Sequence, residues 1–203
     1  MRWGKMPNFI FTVDNISHIR SVISEKNADG SVKVWEHTLL KPLRRELKHY
    51  ILSNRSDGFK CAYCLKNFYN EHNMNIDVEH ILPKSKYPEY TFTLKNLAVA
   101  CKRCNLLIKR NDISFLNDDF NRKKPFNAKY YTITHPVIDR RNHLYLLDVH
   151  FNGCHIIKYQ TKSEKAENTY KYFKLDEVEI ETMNNAQGIS QLVDFLNASL
   201  SSN

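Results

Sequence analysis

A chain of 203 residues with 42% hydrophobic content can bury one sizeable core, or a core with a small stapled module, and is not composed like a disordered chain. No apolar run approaches the roughly 20 residues a membrane-spanning helix needs, and Met1-Arg2-Trp3-Gly4-Lys5 opens no apolar signal region, so a cytoplasmic location with no membrane partner is expected. The formal net charge of +8 points towards a polyanionic partner, either nucleic acid or an acidic membrane.

Residues 1–32 carry little pattern beyond a turn signal at Asn27-Ala28-Asp29-Gly30. Trp35, Leu39, Leu40, Leu43, Leu47, Tyr50 and Ile51 then recur at helical spacing over residues 34–54. Pro42 is expected to interrupt that run and split it into two shorter helices, with Asp57-Gly58 as the stop. Lys60 to Cys64 reads as a short strand and knuckle, and Ile76 to Leu82 as a strand. Leu94 to Cys101 reads as a buried helix or turn, and Lys102 to Arg110 as a helix. A polar, basic connection fills 113–128. Residues 143–160 alternate around Asn152-Gly153, the mark of a β-hairpin. Thr161-x-x-Glu164 resembles a capping box for a helix carrying Ala166, Tyr170 and Phe173. From Asp176 to about Leu200 one or two amphipathic helices are expected, with a frayed Ser-Ser-Asn end. The fold class is therefore α+β in three parts. These are N-terminal arm and helices (1–57), a cysteine-bounded core (58–112) and a hairpin-plus-helix extension (113–203).

Two Cys-x-x-Cys pairs, Cys61/Cys64 and Cys101/Cys104, bound the core. Four thiolates suit tetrahedral zinc, and in a reducing compartment paired cysteines are more often metal ligands than disulfides. A structural Zn2+ is expected, closed and inert, pinning the two ends of the intervening segment. Cys154 has no partner in spacing and reads as a plain strand cysteine.

Between the pairs lies Asp77-Val78-Glu79-His80-Ile81-Leu82-Pro83. A neutral histidine is a good general base near pH 7. A carboxylate and a side-chain amide oxygen suit Mg2+ or Mn2+, which take hard oxygen ligands. Hydrolysis of a phosphodiester needs both, a base for water and a cation for the leaving oxygen. Basic residues flank the site on both sides. Lys41, Arg44, Arg45, Lys48, Arg55 and Lys60 precede the first cysteine pair. Lys102, Arg103, Lys109 and Arg110 crowd the second, and Arg122-Lys123-Lys124 follow.

Cys-x-x-Cys, Glu-His-x-x-Pro, Lys95-Asn96-Leu97 and Cys-x-x-Cys-Asn with a lysine four residues on, in that order, resemble the HNH endonucleases and their ββα-metal fold. The resemblance spans about residues 58–112. It implies that His80 activates water and that Glu79 and Asn105 hold the catalytic cation. Asn96 would hold the base through a hydrogen bond and tie the ββ loop together. Lys109 would contact phosphate or steady the helix, and Lys102, Arg103 and Arg110 would bind substrate. Glu79 stands where many members carry Asp. Asp77, on the same strand face, is the second acidic candidate. Tyr87-Pro88-Glu89-Tyr90-Thr91-Phe92, the run Asn96 to Cys101, and His135-Pro136-Val137-Ile138-Asp139 before His143-Leu144 look like the HNH subunit of Septu-type antiphage systems, including retron-associated ones. That resemblance implies an ABC-like ATPase partner and, for a retron-associated system, a retron reverse transcriptase with its RNA and DNA. The substrate is expected to be DNA, with a structured RNA such as tRNA as the other choice.

His135, Asp139 and His143 stand at i, i+4 and i+8 and offer a separate metal site, but Pro136 favours a structural loop. The remaining histidines, His150 and His155 among them, have no evident partners. The 11 tyrosines read mainly as core. A non-catalytic zinc-knuckle module that binds nucleic acid or protein is the competing function. It would need the cysteines and basic residues but not Glu79-His80.

Overall fold

A computed structural model describes residues 9–25, 33–54, 59–139, 143–151 and 154–181. The expectations for Met1 to Lys5, Asn27 to Gly30, Arg55, Asp57-Gly58 and Asn152-Gly153 lie outside them, as does the part past residue 181 of the helices expected over 176–200, whose start is a 3-10 turn (Leu175–Glu177) and a short strand (Ile180–Glu181) instead. The described chain is mixed α+β and divides into two compact units. One comprises Met1–Tyr131 with His135–Arg140, the other Thr132–Thr134 with Arg141–Asn203.

In the first unit, helix α1 (Val13–Ser24) is capped by the Thr12 side chain, which accepts from the Asn15 backbone N–H. It buries only Val22. Two short 3-10 turns (Val34–Glu36 and Thr38–Leu40) lead into α2 (Lys41–Asn54). Pro42 does not split a helix as expected. It sits in the first turn of α2, where its missing N–H leaves no intrahelical bond unmade. Leu43, Leu47 and Ile51, four residues apart, are buried along one face of α2.

Strand β1 (Ile76–His80) pairs antiparallel with β2 (Leu97–Cys101), Glu79 opposite Ala98 and His80 opposite Leu97. The run from Leu94 is therefore a 3-10 turn (Leu94–Asn96) followed by a strand, not a helix. Leu97, Ala98, Val99 and Ala100 are all buried. A strand covered on both faces reads as a continuous apolar run, which period alone does not separate from a buried helix. A seven-residue π-helix (Arg103–Lys109) follows β2 and completes a ββα arrangement. Its wide turn, with the Arg110 N–H on the Asn105 carbonyl at 2.8 Å, brings residues five apart onto one side. Cys104 and Lys109, five apart, are both fully buried.

The second unit is a three-stranded antiparallel sheet, β3 (Leu144–Phe151), β4 (Cys154–Thr161) and β5 (Ile180–Glu181), in that order. The expected hairpin strands are present, His150 facing His155 across the pair. Helix α3 (Glu164–Tyr172) carries buried Ala166 and Thr169, and Phe173 and Leu175 behind it are buried as well. Its cap is Ser163, whose hydroxyl accepts from the Ala166 N–H at 3.2 Å, and not Thr161, which ends β4. Among the described residues no helix is long and apolar enough to cross a membrane.

Candidate metal and active site

The first Cys-x-x-Cys knuckle turns tightly. The Leu65 N–H bonds the Cys61 carbonyl at 3.0 Å and Leu65 itself takes a positive φ of 58°. The Ala62 N–H on the Val99 carbonyl, 2.9 Å, ties the knuckle to β2. β2 ends at Cys101 and the π-helix carries Cys104, so sheet and helix deliver the second knuckle to the first. All four sulfur atoms lie within 4.8 Å of one another, and Cys64 Sγ is 3.8 Å from Cys101 Sγ. A tetrahedron with Zn–S bonds of about 2.3 Å has edges of about 3.8 Å, so the cluster fits zinc. Burial pushes the Cys61 thiol well up, while hydrogen bonds from Cys104, Cys61 and Cys64 hold Cys101 far down. A cation replacing the shared protons relieves that crowding.

Glu79 and His80 stand at the end of β1, where successive side chains point to opposite faces. Glu79 turns inward. Its carboxylate accepts from Lys109 Nζ at 2.7 Å and from the Tyr63 hydroxyl at 3.1 Å. Desolvation raises the Glu79 pKa, and the Lys109 charge pulls it back. Lys109 Nζ also donates to the His80 carbonyl at 3.0 Å and lies 5.7 Å from the Phe115 ring centroid. With a side-chain exposure of 0%, Lys109 is not placed to meet a phosphate. Its contacts to Glu79 and the His80 carbonyl tie the π-helix to β1.

His80 turns the other way, edge-on to Trp35 at 4.5 Å. Its Nε2 lies 3.0 Å from the Thr91 carbonyl oxygen. A carbonyl can only accept, so Nε2 carries the proton and Nδ1 keeps its lone pair. Burial pushes the His80 pKa down to about 3, which keeps the ring neutral. The partner that fixes the ring is thus Thr91 and not Asn96. The Asn96 side chain does the other work expected of it. Its Oδ1 accepts from the Leu82 N–H at 2.7 Å, and its Nδ2 donates to the carbonyls of Leu82 and Tyr90 at 3.0 and 3.2 Å. One buried amide closes the ββ loop that presents Thr91 to the base.

Asn105, on the π-helix, donates from Nδ2 to Asp77 Oδ2 at 3.0 Å, and Lys102 pairs with Asp77 Oδ1 at 3.0 Å. Pinning the amide nitrogen orients the oxygen of Asn105 as an acceptor. A cavity of about 380 Å3 is lined by Glu79, His80 and Asn105 together, with Trp35, Lys84 and Arg110 at its wall. A neighbouring groove of about 420 Å3 shares Trp35, Val78, Asn105 and Leu106 with it and carries Lys41, Arg44, Arg45, Lys48 and Lys102. Arg44 and Lys48 spend their donors on backbone carbonyls, Arg44 on Trp35 and His37, Lys48 on Asn73 and Ile76. Arg45 and Arg110 are exposed, and Arg103 is half-buried.

Residues 61–110 match the HNH endonuclease family. The chain carries an HNH endonuclease domain. The HNH domain accounts for about a quarter of the chain and coincides with the knuckles, the β1–β2 pair and the π-helix. The chain is also 31% identical over 96 residues to the Septu protein PtuB of Bacillus thuringiensis, over 47% of this chain and 30% of that protein. It therefore spans less than a third of that relative's length in the match. No solved structure matches it significantly.

Beyond the HNH domain the His135 segment forms the loop that Pro136 favoured. His135, Asp139 and His143 do not form a metal group. His135 Nδ1 accepts from the N–H groups of Val137 and Ile138 at 3.2 and 3.3 Å, and Asp139 accepts from the His135 N–H at 2.7 Å, a local turn. His143 belongs to the second unit and bonds the Ser163 hydroxyl at 2.7 Å. The roles of Thr91 and Trp35 were not legible beforehand. Thr91 acts through its backbone carbonyl, which leaves no mark on residue type.

Proposed function

We propose that this chain is a metal-dependent endonuclease that hydrolyses phosphodiester bonds in nucleic acid, with DNA favoured over structured RNA. The observation that supports the reading is that Glu79, His80 and Asn105 all line one cavity, with His80 held as the Nε2–H tautomer by Thr91. His80 Nδ1 would take the proton of the attacking water. Glu79 and Asn105 offer hard oxygens for Mg2+ or Mn2+, which would stabilise charge on the leaving oxygen. Asp77 orients the Asn105 amide and is the alternative carboxylate. The cysteine cluster would hold structural Zn2+.

The likeness to a Septu protein supports a role as effector of an antiphage defence complex in the cytoplasm, with a partner subunit of ABC-like ATPase type and, in a retron-associated system, a reverse transcriptase. An exposed stripe on β3, Tyr145, Leu147 and Val149, gives the C-terminal part a surface on which such a partner could dock. The deciding experiment incubates the protein, alone and with its genomic neighbours, with DNA and RNA in Mg2+ or Mn2+ and maps the cut ends. Cleavage by wild type that disappears in His80→Ala is the expected result. Full activity of His80→Ala would remove the base from the mechanism.

A further inference from the structure

The second unit contains a cluster that the nuclease reading does not use. His150 on β3 and His155 on β4 face each other directly across the hairpin, and Asp148 stands two residues before His150 on the same strand. Side chains two apart on a strand share a face, so the three project from one side of the sheet. Asp148 Oδ1 lies 2.8 Å from His155 Nε2 and 3.6 Å from His150 Nε2. The two imidazoles stack with centroids 3.6 Å apart. The three donor atoms all fall within 4.8 Å of one another.

The Asp148–His150 separation matches the edge of a coordination shell, and the Asp148–His155 contact is slightly shorter than one. Zinc bonds imidazole nitrogen and carboxylate oxygen at about 2.0–2.2 Å, which sets neighbouring ligand atoms roughly 3–3.6 Å apart. Two imidazoles and a carboxylate are a donor set for borderline transition cations and not for Mg2+, which prefers oxygen alone. The backbone ladder of β3 and β4 holds the register, so both histidines arrive already positioned. The protons that the two imidazoles share with one Asp148 carboxylate oxygen are also what an ion between the three groups would replace. The cluster faces solvent, His150 being 71% exposed, and an ion there would keep an open position for water.

We infer that Asp148, His150 and His155 form a transition-metal site for Zn2+ or a cation of like preference, separate from the cysteine cluster and from the nuclease cavity. The test uses the full chain carrying one zinc per molecule in the cysteine cluster, titrated with Co2+ near pH 7.5 and followed by calorimetry and absorption. Wild type should take up one more Co2+ at micromolar concentration than the His150→Thr/His155→Thr variant, whose β-branched replacements suit exposed strand positions. That extra ion should give d–d bands without thiolate charge transfer, and Asp148→Asn should weaken it at least tenfold. Equal uptake by wild type and variant, or a difference seen only at millimolar Co2+, would overturn the inference. If the double variant does not fold, His150→Gln alone must lose the same equivalent, and its retention would be equally decisive against the site.

Discussion

The cysteine cluster and the Glu79–His80–Asn105 cavity share the same two segments of chain, yet they are built in opposite ways. The cysteines bring one kind of atom together, with Cys61, Cys64 and Cys104 buried and Cys101 half-buried, and a cation with four thiolates has no position left for substrate. The cavity mixes a carboxylate, an imidazole and an amide, and exposed Arg110 stands at its edge. One is a clamp and the other has room for a reaction. The π-helix makes the two interdependent, because Cys104 secures its start while Asn105 and Lys109 serve the cavity.

Breaking the clamp should have the largest effect. Structural zinc in small domains is worth on the order of 10 kcal/mol in apparent binding free energy. Cys61→Ser, or extraction of the metal with a strong chelator, should unfold the first unit, read as loss of its cooperative melting transition. A Cys61→Ser protein that melts like wild type would mean that the knuckles hold no metal that matters. Altering the cavity should do the reverse. His80→Ala should lower the cleavage rate by roughly 10²–10⁴-fold, the usual worth of a general base, while the chain keeps its zinc and its circular dichroism. Equal loss of fold in both variants would collapse the distinction between clamp and cavity.

A third substitution tests the joint between them. Lys109→Met leaves Glu79 buried beside no counter-charge, and removing one partner of a buried ion pair typically costs about 3–5 kcal/mol. Thermal denaturation should show that loss, and adding Glu79→Gln should restore much of it. If Lys109 met phosphate instead, Lys109→Met would weaken substrate binding and leave the melting temperature in place.

The sequence was most readable where chemistry demands particular residue types. Cys-x-x-Cys spacing and Glu79-His80 survive any change of secondary structure around them, so the module could be placed before its strands could. Period failed where tertiary burial overrode it. Leu97 to Ala100 is apolar on both faces, and α1 buries only Val22. Pro42 was misjudged because the same residue that breaks a helix interior starts one well. Roles that belong to the backbone, such as the Thr91 carbonyl on His80, or that depend on pairing across strands, such as His150 with His155, have no local signature at all.

The smallest expected effect concerns the groove beside the cavity, and it separates cations that serve the fold from those left for a ligand. Arg122 is committed to Glu89, at 2.7 and 3.1 Å, whereas Arg45 is exposed on the face of α2 that lines the groove. A single phosphate contact adds about one to the salt slope of binding. Arg45→Ala should therefore weaken nucleic-acid binding severalfold and reduce the slope of log K against log salt by about one, with no change in cleavage chemistry once substrate is saturating. Arg122→Ala should leave both slope and affinity in place. If the two variants behave alike, the path of the substrate does not run along α2, and the groove is simply the seam where α2 meets β1.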